Sequence, residues 1–320
     1  MHIDAVITWV DGSDKRWQEN INKYREVKIN FDQKKESVRY NSIGEIDIAI
    51  KSIIKFAPFI ENIYLVTDNQ KPDSLYDLQQ LAKQKNKNLS IIDHKVIFRD
   101  YEFALPCFNS CSIGNMLFRI PNLSEHFVIF NDDTFLMRET NISDFFIDGN
   151  PIIRGEWKEF YENQTLRNLY YKVLAFFGKQ KKNAVGFKTF QQTSAKLAGV
   201  KKYVRRFHTP VSVRKSPLEE FFKGNELLSN NIKHRFRHKD QFIISSLSEH
   251  LEIKNNTYKY NKNRQLTYFR SYKKAFLVKL KLFWFTKNKS KLFMTFQSLE
   301  LADEQTLNYI LNWIDKRFNI

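Results

Sequence analysis

Asp132 and Asp133 follow directly on the apolar run Phe127–Phe130 and on Asn131. Adjacent carboxylates at the end of a buried strand can both reach one cation. A hard divalent ion such as Mg²⁺ takes carboxylate oxygens and bridges them to substrate phosphates. The same two residues could instead cap a helix or form a turn. What separates these readings is the element that delivers the pair. Three other apolar runs also end in an acid, at Asp11, Asp68 and Asp93. The two cysteines, Cys107 and Cys111, exclude a disulfide framework and have no neighbouring histidines to complete a zinc site. They read as reduced, buried thiols of a cytosolic protein. No GxGxxG and no GxxxxGK[ST] occurs, so neither a dinucleotide fingerprint nor a P-loop is supported.

The elements that would hold these residues follow from the apolar pattern. Residues 2–12, 61–68, 89–94 and 125–132 are short apolar runs bounded by turn signals, as parallel strands covered on both faces require. Residues 44–56, 73–84 and 110–119 fit the intervening helices, and 13–40 are polar without a clear period. Strand and helix in alternation predict a doubly wound, mostly parallel α/β sheet, with ligands beyond the carboxyl ends of its strands. A short acidic motif in that position makes the expected fold GT-A-like. We expect a nucleotide-sugar and metal-binding core at residues 1–150, and a largely helical, basic region at 151–320 that completes the active site.

Charge divides the chain at the same point. Residues 1–150 carry 18 Lys and Arg against 22 Asp and Glu, a net of −4, whereas residues 151–320 carry 34 against 13, a net of +21. A surplus this large exceeds what solubility needs and predicts a polyanionic partner. Residues 273–293 interleave Lys with Phe, Leu and Trp and could lie at a membrane surface or pack as an ordinary helix. No run is long and apolar enough for a transmembrane helix. The first residues read as a strand and not as a signal peptide.

Several segments, in order, resemble the Stealth family of sugar-phosphate transferases. Residues 3–17 (IDAVITWVDGSDKRW) are similar to its first block. Residues 39–72, 91–98, 105–110 and 118–135 are similar to its second block. RRFHTPVSV (205–213) and HRFRHKDQF (234–242) resemble the third block more loosely, and residues 290–318 resemble the fourth least.

The resemblance implies an enzyme. It would transfer a sugar-1-phosphate from a UDP-sugar to a hydroxyl of a glycan acceptor, making a phosphodiester in capsular or exopolysaccharide synthesis. By the same resemblance Asp132 and Asp133 would hold Mg²⁺ (or Mn²⁺), His208 would take the acceptor's proton, and Arg237 would stabilise phosphate charge. Asp11 would face the nucleotide, and Arg39 and Asn109 would shape the donor site or serve the structure. The implied partners are the nucleotide-sugar and an anionic glycan, with peripheral contact to the inner membrane or a capsule-synthesis complex and no nucleic acid. The implied location is the cytoplasm, at the inner face of that membrane. Two positions depart from the family pattern. Gly114 stands where Glu is usual, and Phe296-Gln297-Ser298 stands where an Asn-Asp pair is expected. A glycosyltransferase that moves the sugar without its phosphate, and a catalytically silent polyanion-binding protein, are the alternatives.

Overall fold

The computed structural model describes residues 1–33, 43–165 and 186–318. Its strands are β1 (Ile3–Thr8), β2 (Ile60–Thr67), β3 (Asn88–Asp93), β4 (His126–Asn131), β5 (Thr134–Leu136) and β6 (Phe146–Ile147). Beyond these come β7 (Asn150–Lys158), β8 (Tyr203–Arg206), β9 (Val211–Arg214), β10 (Lys259–Asn261), β11 (Leu266–Phe269) and β12 (Phe293–Phe296). The main sheet runs β3-β2-β1-β4-β9, with the first four strands parallel and β9 antiparallel. The α/β class read from the sequence is therefore the one adopted.

Both faces of this sheet are covered, and the side-chain alternation of its central strands explains why. Ile3, Ala5 and Ile7 of β1 join Val128 and Phe130 of β4 in one core, against Ile46, Ile50 and Ile53 of the helix Glu45–Phe56. Val6, Phe127 and Ile129 point the other way, into a core with Met116, Leu218, Leu228 and Leu247. Burial of each such Ile, Leu or Phe contributes roughly 1.5–3 kcal/mol. An unbroken apolar run therefore forms a strand that only a two-sided cover can satisfy.

The predicted helices appear at Glu45–Phe56, Leu75–Gln84 and Ser110–Met116, the last continuing as a 3₁₀ turn over Leu117–Arg119. A helix at Lys15–Lys23 lies within the stretch that had no clear period, with the Asp14 carboxylate accepting from the Arg16 and Trp17 amides at its start. The second half is largely helical, but β7 to β12 thread through it. β9 enters the main sheet beside β4, and β12 lies between β11 and β5. Three sheets, and the core that joins Val6 to Leu247, thus combine residues from both sides of residue 150.

Strand order sets where a ligand can bind. β2 and β3 lie to one side of β1, and β4 lies to the other. Connections leaving the ends of β1 and β4 diverge and open a crevice there. Thr8 and Asn131, paired in register, mark that point.

Candidate active site

A cleft of about 1260 Å³ opens beyond the ends of β1 and β4. Asp132, Asp133, His208 and Arg237, which are far apart in sequence, all line it. Each arrives by a local device. Asp132 and Asp133 form the turn between β4 and β5, and the Phe296 amide of β12 donates to the Asp133 carbonyl at 3.2 Å. Two sheets therefore fix the turn from both sides.

His208 is delivered by β9. Because β9 runs antiparallel to β4 with Val211 opposite Ile129, the preceding residues 207–210 must pass beside the end of β4. The His208 Nε2 lies 3.3 Å from Asp133 Oδ1 and 3.1 Å from Asn131 Nδ2. The Tyr268 ring lies 5.6 Å away, centre to centre. The His208 carbonyl accepts from Thr295 Oγ1 at 3.3 Å, and the Thr209 carbonyl accepts from Arg206 Nη2 at 2.8 Å. The loop is held by its backbone, so the imidazole is not needed to anchor it.

Arg237 comes from a segment laid over the start of the helix Ser110–Met116. The Phe108 amide donates to the Arg235 carbonyl at 3.1 Å, Ser112 Oγ donates to the His234 carbonyl at 3.0 Å, and Arg237 Nη2 donates to Ser110 Oγ at 2.9 Å. Asn109 does the clamping and is fully buried. Its amide donates to the His234 carbonyl and to Gln241 Oε1, and its Oδ1 accepts from the Cys111 amide. With those bonds made, Asn109 supports the Arg237 segment and does not itself face the cleft.

Asp11 is also absent from the cleft wall. β1 stops at Thr8, and the Asp11 carboxylate is turned onto the amide and hydroxyl of Ser13 at 2.8 and 2.6 Å. There it stabilises the turn that follows β1. Arg39 lies outside the described residues. Cys107 and Cys111 are buried thiols, as expected, and burial pushes the Cys107 thiol up to about 12.

Electrostatically the cleft has two walls. Burial pushes the Asp132 carboxyl up to about 7, and the negative charges of Asp133 and Glu45 add to that. A cation beside the pair would relieve both effects. Among the described residues no three His, Cys, Asp or Glu side chains converge on one point. A pair of carboxylates nonetheless fits an ion that keeps water and phosphate oxygens as its remaining ligands, as Mg²⁺ does.

The other wall is basic and was not read from the sequence. Arg206, Arg264, Arg270, Lys281 and Lys291 line it. Arg270 covers Tyr268 at 4.9 Å and Arg264 covers Phe207 at 5.0 Å. The surplus of Lys and Arg after residue 150 was the available signal, but it did not say which of them share a pocket. Gly114 also lines the cleft, and a Cβ there would meet only Ile244 Cγ2, at 3.9 Å. The helix surface at that point stands open to the cleft.

Two family models match the chain. Stealth protein CR1, conserved region 1, covers residues 1–26, and Stealth protein CR2, conserved region 2, covers residues 39–152. His208 and Arg237 lie outside both. The exopolysaccharide phosphotransferase cps2G of Lactiplantibacillus plantarum is 42% identical over 150 residues, which is 47% of this chain and 41% of that protein. The capsular polysaccharide phosphotransferase fcs1 of Haemophilus influenzae is 30% identical over 248 residues, 76% of this chain and 63% of that one. The receptor polysaccharide phosphotransferase WefC of Streptococcus oralis is 40% identical over 152 residues, 47% of this chain and 43% of that one. The chain thus spans between 41% and 63% of the length of these three relatives. Among solved structures, the galactosyltransferase LgtC with donor and acceptor sugar analogs is similar at a TM-score of 0.48 and 10% identity, over 98% of this chain and 95% of that one. With both conserved regions present in order across its N-terminal half, the chain belongs to the Stealth protein family.

Proposed function

We propose that the cleft transfers a sugar-1-phosphate from a UDP-sugar to a hydroxyl of an anionic glycan, in the synthesis of a capsular or exopolysaccharide. One observation carries this reading. A carboxylate pair, a histidine within hydrogen-bond reach of it, and an arginine from a third segment all line one cleft at the sheet's switch point. Phosphoryl transfer needs little more than that, because it runs on positioning and charge stabilisation.

In the proposed reaction the acceptor hydroxyl oxygen bonds to the phosphorus that carries the sugar. The bond from that phosphorus to the bridging oxygen of the diphosphate breaks, and UMP leaves with the electron pair. The hydroxyl proton goes to His208 Nε2, which then donates to the Asp133 carboxylate 3.3 Å away. Arg237 forks onto non-bridging phosphate oxygens as their charge grows. Asp132 and Asp133 would hold Mg²⁺ or Mn²⁺, which when bound neutralises the diphosphate. The basic wall binds the acceptor, whose own phosphates supply complementary charge. The family's conserved regions and the phosphotransferase names of the relatives support the same class of reaction.

The test is the leaving group. A panel of UDP-sugars is incubated with the protein, Mg²⁺ and capsular oligosaccharide acceptors, and the released nucleotide is separated. The expected product is UMP, together with a ³¹P phosphodiester signal in the glycan. His208→Ala is expected to lower the rate by about 10²–10⁴-fold, the range for loss of a general base. Release of UDP with no phosphorus in the product would overturn the proposal in favour of sugar transfer alone.

A further inference from the structure

The helix Ala275–Lys287 buries one face and leaves an apolar face outside. Val278, Leu282 and Phe285 pack into the core that includes Phe269, Met294 and Ile314. On the opposite side Phe276 is 71% exposed, Trp284 60% and Phe283 52%, with Leu277 and Leu280 beside them. At 3.6 residues per turn these five side chains fall within an arc of about 120°. Among the described residues they form the largest run of exposed apolar side chains on one element.

The charge on this helix and on the segments that flank it in sequence is of one sign. Between Glu252 and Glu300 the sequence holds twelve Lys and Arg and no Asp or Glu. Lys279 and Lys281 flank the apolar arc on either side, and Lys273, Lys274, Lys287 and Lys289 lie at the helix ends. Lys279 sits over Tyr309 at 4.8 Å and Lys287 over Phe283 at 5.7 Å, so ammonium groups border the aromatic rings. A water-facing helix has no use for Phe and Trp on its outer face. A protein partner would need an acidic rim fitted to this lysine border. A bilayer with anionic headgroups meets both demands at once, with rings at the acyl boundary and lysines among the phosphates.

We infer that this face docks the protein on an anionic lipid surface. Trp284 and Lys281 belong both to this helix and to the cleft wall. Docking therefore sets the cleft mouth at the level of the headgroups. No helix among the described residues is long and apolar enough to cross a membrane. The inference does not depend on the reaction proposed above.

The test needs no substrate. The full chain is sedimented with phosphatidylcholine vesicles, with and without phosphatidylglycerol, at low and high salt. Binding is expected only with phosphatidylglycerol, with weakening by salt and a blue shift of tryptophan emission that Trp284→Phe removes. Phe276→Ser with Phe283→Ser, both solvent-facing, is expected to weaken binding at least about ten-fold while the circular dichroism stays unchanged. Lys273→Glu with Lys274→Glu is expected to weaken it by about 25-fold or more, at about five-fold per lysine removed. Three results would each overturn the inference. One is no partition onto phosphatidylglycerol. Another is equal partition by the Phe276/Phe283 variant, which would leave a nonspecific charge contact. The third is a dimer in solution that this variant dissociates, which would make a second copy the occupant.

Discussion

His208 Nε2 has two neighbours that make opposite demands on it. The Asn131 amide, at 3.1 Å, donates to it only when the nitrogen carries a lone pair. The Asp133 carboxylate, at 3.3 Å, accepts from it only when the nitrogen carries a proton. Taking up a proton therefore exchanges one partner for the other, which suits a group that must gain and then lose one. What keeps the ring between them is a short hydroxyl chain. Thr134 Oγ1 reaches Asp133 Oδ1 at 3.2 Å and Thr295 Oγ1 at 3.0 Å, and Thr295 Oγ1 reaches the His208 carbonyl at 3.3 Å. Two hydroxyl protons serve three contacts, so at any moment two are made. Thr295 is fully buried and acts as a positioning residue. Thr295→Val keeps the shape and removes two of the contacts. We expect it to lower stability by about 1–3 kcal/mol, the cost of leaving a buried acceptor unpaired. We also expect it to lower kcat with little change in the donor KM or in the divalent-ion requirement, with Thr295→Ser restoring the rate. Urea unfolding and steady-state kinetics on the three proteins check this. A Val variant with full kcat would mean that the chain holds nothing the reaction needs.

At the scale of elements, what the sequence disclosed depended on how much of each element is buried on both sides. β1 and β4 are apolar on both faces, so their runs stand out, and the acids beyond β4 could be read as a strand-end pair. β9 is four residues long and its apolar character is split by Ser212. Nothing local marks it as the partner of β4, and with it the position of His208 beside Asp133 was hidden. Asn109 stayed open between a donor-site and a structural role for a related reason. An amide at a helix start serves a cap or a ligand equally well, and only the depth of its burial decides. The helix Ile244–Asn255 shows a further property that its sequence conceals. His250 is completely buried, with Nδ1–H donating to the Ser246 carbonyl at 2.6 Å and Nε2 accepting from the Val204 amide at 2.9 Å. Both nitrogens are used by the neutral ring, and burial pushes its pKa down to about 4. The unfolded chain binds this proton near pH 6.5 and the folded chain does not until about 4, so stability is lost as pH falls through that window. The neighbouring Glu249 has the opposite sign. Burial raises its carboxyl to about 7, against the pull of Arg206 and Arg154, so its contribution is lost as pH rises from about 4.5 to 7. The two partly cancel in the parent protein. We therefore expect His250→Gln to remove acid destabilisation on the order of 3 kcal/mol between about pH 6.5 and pH 4. Glu249→Gln is expected to remove a loss of opposite sign. Urea midpoints of the three proteins from pH 4 to 8 check both, and parallel curves would show that neither group titrates within the fold.

At the scale of the molecule, charges of both signs share one cleft. The acidic pair lines it, and its basic wall includes Arg206, Arg264, Arg270, Lys281 and Lys291. In the proposed reaction a diphosphate with a divalent ion would meet the acidic pair, whereas a phosphate-bearing glycan would meet the basic wall. These two attractions respond differently to salt. Screening lengths are about 10 Å at 0.1 M, so a compact donor held at a half-buried site loses little. A polyanion spread over an open basic wall releases condensed counterions on binding, and its affinity falls as a power of the salt concentration. The number of phosphates neutralised sets the slope. With about three phosphates bound, the affinity is expected to fall on the order of twenty- to fifty-fold between about 50 and about 200 mM salt. At saturating donor, kcat/KM for a phosphate-bearing acceptor should follow that fall. A neutral acceptor of the same length should lose less than about two-fold over the same range. Arg270→Gln should make the first curve shallower, by about one phosphate's worth of slope, and leave the second unchanged. Rates measured across a salt series with both acceptors decide the matter. If the two curves superimpose, the basic wall does not read acceptor charge, and the surplus of Lys and Arg in the second half serves the lipid surface alone.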